Sequence, residues 1–237
     1  MVLARDKILL IISFVFLGMI MGKHAQAQSS LLDTQDVKLM RRLGISSSLL
    51  LGSSITFDSE ISHFFVLISS SDFSDASRFL NYFGDKRIVV AGNALLFGSS
   101  LLFDDSRLQE TSWNSFESIG ASAVITGLLK LSFSRARPDE NRGPYHFRPV
   151  SWRNDAFKSF PSGHTTLAFA FITPYAEQYS RWLYAIPFSV ALGRVYRQDH
   201  WSSDVILGAS VGFFTGYFLQ HKNRHITFSF NRIVVRF

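Results

Sequence analysis

Apolar stretches alternate with short charged breaks along most of this chain, at 43–57, 61–71, 88–103, 118–129, 165–176, 182–193 and 205–220. Each is 11 to 16 residues long and dominated by Leu, Ala, Gly and Ser. None shows the every-second-residue alternation of a half-buried strand, so the pattern predicts helices. The longest irregular section, 134–163, contains Pro138, Pro144, Pro149 and Pro161 with Gly143 and Gly163, and predicts a loop. The tail at 224–237 differs: Ile226, Phe228 and Phe230 alternate with Thr227, Ser229 and Asn231. Its apolar parity changes after Asn231-Arg232, which predicts a short hairpin or a bulged strand. The expected fold class is all-α, with a short β-like tail at the C-terminal end.

The first residues carry a different signal. Arg5 and Lys7 precede an uninterrupted apolar run at 8–22, followed by Ala25-Gln26-Ala27. A basic start, an apolar run and an A-x-A site make a secretory signal. The run of 15 residues is short for a spanning helix, which needs about 20. A retained anchor is the alternative; either way the rest of the chain leaves the cytoplasm. The expected organisation is a signal peptide at 1–27, a helical domain at 28–223 and the tail at 224–237. In the remainder, no stretch reaches about 18 consecutive apolar residues. The 16-residue stretches and the 24 Phe residues nevertheless suit contact with lipid.

Composition narrows the partners. The formal charge of +6 and the pI of about 9.7 favour anions such as phosphate esters or an anionic membrane surface. Basic residues are scattered rather than striped along one helix, so no nucleic-acid partner is expected. The absence of Cys excludes disulfides and thiolate chemistry. No carboxylate cluster suits Mg²⁺ and no spacing suits a three-His Zn²⁺ site, so no metal and no cofactor are expected.

Three short stretches carry candidate chemistry. Lys130 and Arg137-Pro138 follow an apolar helix, and the seven-residue spacing would put both cations on one helical face. A guanidinium fork beside an ammonium point charge makes an oxyanion clamp. Pro161-Ser162-Gly163-His164 precedes the stretch at 165–176. Ser162 suits an N-cap, Gly163 lets backbone approach a ligand, and free N–H groups at a helix start bind phosphate. His164 then lies in the first turn. In the third stretch, Arg194 ends an apolar segment, and His200 and Asp204 stand four apart. They share a face if the helix has begun by His200; otherwise a turn must bring them together. A carboxylate on one ring nitrogen leaves the other free to attack. Alone, each stretch also fits an ordinary basic helix end, a capped helix or a surface His–Asp pair. Together they supply cations, backbone donors, a nucleophile and an acid, the parts that phosphoryl transfer needs.

In this order and spacing, the three stretches resemble the type 2 phosphatidic acid phosphatase superfamily. That superfamily also includes bacterial class A acid phosphatases and vanadium haloperoxidases. Its pattern is K-x6-RP, then PSGH, then SR-x5-H-x3-D. Lys130 with Arg137-Pro138, Pro161 to His164, and Arg194 with His200 and Asp204 keep every spacing. Gly193 stands where the family usually has Ser, so one hydroxyl contact is lost. The likeness covers roughly 118–220, about half of the chain beyond the signal. It implies a helical bundle with the site at helix ends and no metal. It implies His200 as the nucleophile forming a phosphohistidine, oriented by Asp204, and His164 as the acid for the leaving group. Lys130, Arg137, Arg194, Ser162 and the Gly163 amide would hold the phosphate.

Within that resemblance the expected function is a lipid phosphatase, acting on phosphatidic acid or a prenyl diphosphate at the periplasmic face of a membrane. Export, the Phe content and Trp152 and Trp201 beside the motifs favour this branch. The alternatives are a soluble periplasmic acid phosphatase on small phosphomonoesters, a vanadium haloperoxidase, and an anion-binding protein without activity.

Overall fold

A computed structural model describes residues 33–69, 71–151 and 154–222, together with strand residues 226–229 and 232–235. The signal sequence expected at 1–27 and Trp152 lie outside the described residues. Among those described there are seven α-helices: α1 (Thr34–Leu67), α2 (Ser71–Asn81), α3 (Lys86–Leu102), α4 (Ser106–Phe133), α5 (Gly163–Gln178), α6 (Ala185–Tyr196) and α7 (Ser202–His221). Strands β1 (Ile226–Ser229) and β2 (Arg232–Val235) pair antiparallel, with Ile226 opposite Val235 and Ser229 opposite Arg232. The all-α bundle and the β-like tail are therefore both present.

Local chemistry explains several boundaries. The Asp85 carboxylate accepts from the Arg87 amide (2.8 Å) and that of Asp105 from the Leu108 amide (2.9 Å), so each satisfies a donor that its helix leaves unpaired. Helix α4 stops at Phe133 because Ser134 turns left-handed (φ 42°). Its end therefore comes four residues before Arg137, and Lys130 and Arg137 do not share a helical face. Residues 135–137 run extended instead, with the Ala136 amide donating to the His146 carbonyl (2.9 Å).

Helix α1 is the largest departure from the sequence pattern. The two apolar stretches at 43–57 and 61–71 are mostly one 34-residue helix that runs through the charged break at Asp58 and Glu60. Burial of Asp58 among partners from other elements removes the need for the helix to end there. Helix α2, a polar segment, had no apolar stretch to announce it.

Helix α5 lies at the centre, against α4, α6 and α7. Gly208, Gly212 and Gly216 form one face of α7, and the close approach requires them. A Cβ at Gly212 would stand 2.3 Å from the Thr166 carbonyl oxygen, and one at Gly208 2.6 Å from that of Ser162. This contact presses the start of α7 against the start of α5. Apolar clusters seal the joints: Leu51, Ile55, Phe160 and Leu207 on one side, and Phe169, Ala191, Val195 and Val205 on another.

The outside of the bundle is also apolar. Leu95, Leu102, Phe103, Val124 and Leu128 are mostly exposed. Helices α4 and α7 are long and apolar enough to cross a membrane.

Candidate active site

The candidate residues come from the ends of four helices and the segments beside them. Lys130 is in the last turn of α4, Arg137 in the extended segment after it, His164 in the first turn of α5, and Arg194 in the last turn of α6. His200 sits in the turn before α7, and Asp204 in the first turn of α7. The 158–162 segment ties these ends together. Lys130 Nζ donates to the carbonyls of Lys158 and Pro161, each at 2.6 Å. The Ser162 amide donates to the Asp204 carbonyl (2.9 Å). His200 Nδ1 lies 2.7 Å from the Ser159 carbonyl oxygen.

That last contact changes the expected orientation of His200. Helix α7 begins only at Ser202, and Asp204 Oδ2 is 3.9 Å from His200 Nδ1, beyond hydrogen-bond range. A carbonyl oxygen only accepts, so the Ser159 contact places the proton on Nδ1 and leaves the Nε2 lone pair free. Asp204 acts one step back: its Oδ2 accepts from the Trp201 amide (2.9 Å) and from the Ser159 hydroxyl. Burial pushes the His200 imidazole down to about 3, and the cations of Arg194 and Lys130 add to the shift against the opposing Asp204. The ring is neutral near pH 7, as a nucleophile requires.

Two guanidinium groups are incompletely satisfied. Arg194 is buried; its Nη1 donates to Asn81 Oδ1 (2.6 Å) and lies 3.1 Å from Asp199 Oδ2. Its Nε is buried with no hydrogen-bond partner among the described residues, and so is Nε of Arg137. Unpaired buried donors are uncommon because each costs about 1–3 kcal/mol. Burial lowers Arg194 to about 10, and repulsion from Arg197 and Arg137 adds to this against the pull of Asp199. Arg194 remains charged, in an environment with more positive charge than its neighbours neutralise. Lys130 has three donors and uses two on carbonyls, which leaves one.

The start of α5 adds backbone donors. The first-turn amides of Gly163, His164 and Thr165 have no acceptor within their own helix. A Cβ on Gly163 would be 3.8 Å from Lys130 Cε, which sets this turn beside the ammonium stem. Ser162 occupies the N-cap position but its hydroxyl does not cap; it lies 2.9 Å from the Thr165 hydroxyl and is buried. The His164 imidazole is depressed to about 4, first by burial and then by Arg194. Gly193 packs on Ser77, and a Cβ there would meet Ser77 Cβ at 3.6 Å.

Four further residues shape the site without belonging to a motif. Ser159 acts through its backbone carbonyl, which side-chain identity cannot announce. Asn81 holds Arg194 from α2. Arg135 and Asp58 form buried ion pairs behind Asp204. A charged residue at 135, between the two cations of the first stretch, was the available signal for that pair; its partner, 77 residues away, had none.

Comparison with known proteins gives a consistent picture. The sequence profile of the PAP2 superfamily matches residues 111–226. A lipid A 1-phosphatase of Rhizobium etli is 34% identical over 154 residues, covering 58% of this chain and 66% of its own length. A second, of Rhizobium johnstonii, is 35% identical over 149 residues, covering 56% of this chain and 61% of its own length. The matches thus leave a third or more of each relative uncovered. The crystal structure of a transmembrane PAP2 type phosphatidylglycerolphosphate phosphatase from Bacillus subtilis superposes with a TM-score of 0.56 at 20% identity, covering 74% of this chain and 92% of that one. That likeness establishes the helical-bundle fold.

Proposed function

This chain belongs to the PAP2 superfamily, and on that premise we propose that it is a membrane-associated phosphatase that removes phosphate from a lipid through a phosphohistidine. The observation that carries the reading is a pair of buried Nε–H groups, on Arg137 and Arg194, without a partner among the described residues: Arg194 lies close enough to a neutral His200 to depress it, and Arg137 close enough to Arg194 to repel it. A tetrahedral oxyanion supplies what those donors lack. Lys130 and the first turn of α5 offer further donors to the same anion.

In the first step, His200 Nε2 attacks phosphorus and the bond to the leaving oxygen breaks. His164 gives its proton to that oxygen. In the second step, water attacks the phosphohistidine, His164 takes the water proton, and inorganic phosphate leaves. His164 must therefore be protonated when substrate is bound. Burial depresses it most in the free protein, and the charges of Arg194, Arg197 and Lys130 add to that. A bound phosphate dianion offsets their charge and raises it again. Cationic side chains hold the non-bridging oxygens, so the reaction proceeds without a metal and survives a chelator.

The lipid-borne substrate is supported by the relatives named lipid A 1-phosphatase, by the exposed apolar side chains and by the two helices able to cross a membrane. A phosphate on a glycolipid thus joins phosphatidic acid and prenyl diphosphates as a candidate. The proposed organisation is a signal at 1–27 that directs the chain to the periplasmic side, the catalytic domain at 28–223 and the tail at 224–237. The test is phosphate release by the purified protein from a panel of these lipids in mixed micelles, beside a soluble aryl phosphate. Preference for the lipids supports the reading; faster turnover of the aryl phosphate favours an acid phosphatase and contradicts it.

A further inference from the structure

Asp58 is fully buried in α1, outside the segment that matches the family profile. Its Oδ1 accepts from the Ser202 hydroxyl (2.6 Å) and the Ser203 amide (2.9 Å). Its Oδ2 accepts from the Ser203 hydroxyl (2.6 Å) and from Arg135 Nη2 (2.7 Å). Arg135, also buried, donates through Nη1 to Asp204 Oδ1 (2.6 Å) and the Ser203 hydroxyl (2.7 Å), and through Nε to the Pro144 carbonyl (2.6 Å). Asp204 in turn holds the Trp201 amide and the Ser159 hydroxyl, and the Ser159 carbonyl holds His200 Nδ1. A chain of contacts thus runs from the middle of α1 to the nucleophile.

The charges along it decide what Asp58 does. When Nε2 attacks phosphorus, the His200 ring becomes cationic, and negative charge behind it stabilises that state. Asp204 alone would provide the charge, but Arg135 neutralises it. Asp58 restores a net charge of −1 to the trio. Resting on the phosphohistidine reading, we propose that Asp58 is a positioning residue for phosphoryl transfer. Through Arg135 and Ser203 it fixes Asp204 and keeps the cluster behind His200 anionic.

The test compares Asp58→Asn with the double variant Asp58→Asn/Arg135→Gln. Asparagine keeps an acceptor for Ser202 and Ser203 but leaves the trio neutral. The double variant removes the cation as well and returns the cluster to −1, with no unpaired buried Arg to oppose folding. Three quantities are measured: kcat on the best lipid phosphate, the affinity for vanadate as a mimic of the transferring phosphoryl group, and competitive inhibition by inorganic phosphate. For Asp58→Asn, kcat and vanadate affinity are expected to fall together by roughly 10- to 100-fold, with phosphate inhibition within about threefold of the parent. The double variant is expected to recover most of that loss. If Asp58→Asn does not fold, recovery in the double variant, set against the parent, decides alone. Unchanged kcat and vanadate affinity in the single variant, or a double variant that remains 10-fold or more below the parent, overturns the proposal. Failure of the parent to release phosphate from any substrate refutes the phosphatase reading instead; the vanadate comparison still decides the role of Asp58.

Discussion

Replacing Arg194 by Lys keeps one positive charge and removes the guanidinium fork. In the parent, Nη1 is committed to Asn81 and Asp199, and Nε is buried without a partner among the described residues, available to an anion. A lysine Nζ cannot hold the Asn81 side and reach the anion at once. The variant therefore loses at least one charge-assisted hydrogen bond to the transferring phosphoryl group, worth about 1.5–3 kcal/mol. That converts to roughly a 10- to 150-fold fall in kcat/KM. The assay is phosphate release from a lipid phosphate in mixed micelles, with Arg197→Lys as the control. Arg197 meets Asp199 at 3.2 Å from an exposed position, and its replacement is expected to change kcat/KM by less than about threefold. Inhibition by inorganic phosphate should weaken in step with kcat/KM in the Arg194 variant. Retention of kcat/KM within threefold, or equal losses in the two variants, would refute the argument that the free Nε is an oxyanion donor.

Further outcomes follow from the same geometry. His164→Ala should slow substrates with poor leaving groups far more than aryl phosphates, which need little protonation; equal losses on both would remove the acid role. Gly212→Ala forces a Cβ to within 2.3 Å of a backbone carbonyl that cannot rotate away, and should lower stability by about 1–3 kcal/mol despite alanine's better helix propensity. Gly120→Ala, with open space around it, should be neutral or stabilising by up to about 1 kcal/mol; equal melting temperatures for the two variants would contradict the packing. His164 and His200 are held near 4 and 3, below the ordinary 6.5, so below pH 6.5 the unfolded chain binds protons that the folded chain refuses. Stability should be complete above that pH and be lost as pH falls through about 4 and then 3. The slope of unfolding free energy against pH should flatten in His164→Ala and His200→Ala, and an unchanged slope would show that neither ring is held neutral.

The candidate site was legible in the sequence where the proposed chemistry depends on side-chain identity at a fixed spacing. Lys130, Arg137, His164, Arg194 and His200 announce themselves because charge and imidazole at helix ends are conspicuous among apolar stretches. The helical class was legible for the same reason, since long apolar stretches without alternation leave little else. Boundaries were less so. Asp58 and Glu60 look like a break between two helices, and only the partners of Asp58 on α7 and in the 134–163 section explain why α1 continues. The Ser159 carbonyl, the true acceptor for His200, belongs to the backbone and leaves no trace in residue type. Arg135 occupies one of the unspecified positions between Lys130 and Arg137, although a charge there has to be solvated or paired.

Trapping the covalent intermediate tests the account most directly. Purified protein is mixed with a lipid substrate carrying labelled phosphate, quenched in alkali within the turnover time, and the labelled peptide is identified. Label on the imidazole of residue 200, acid-labile and missing from the alanine variant, is the predicted result. Turnover with the label on a hydroxyl or carboxylate, or with no labelled protein at any quench time, would contradict it.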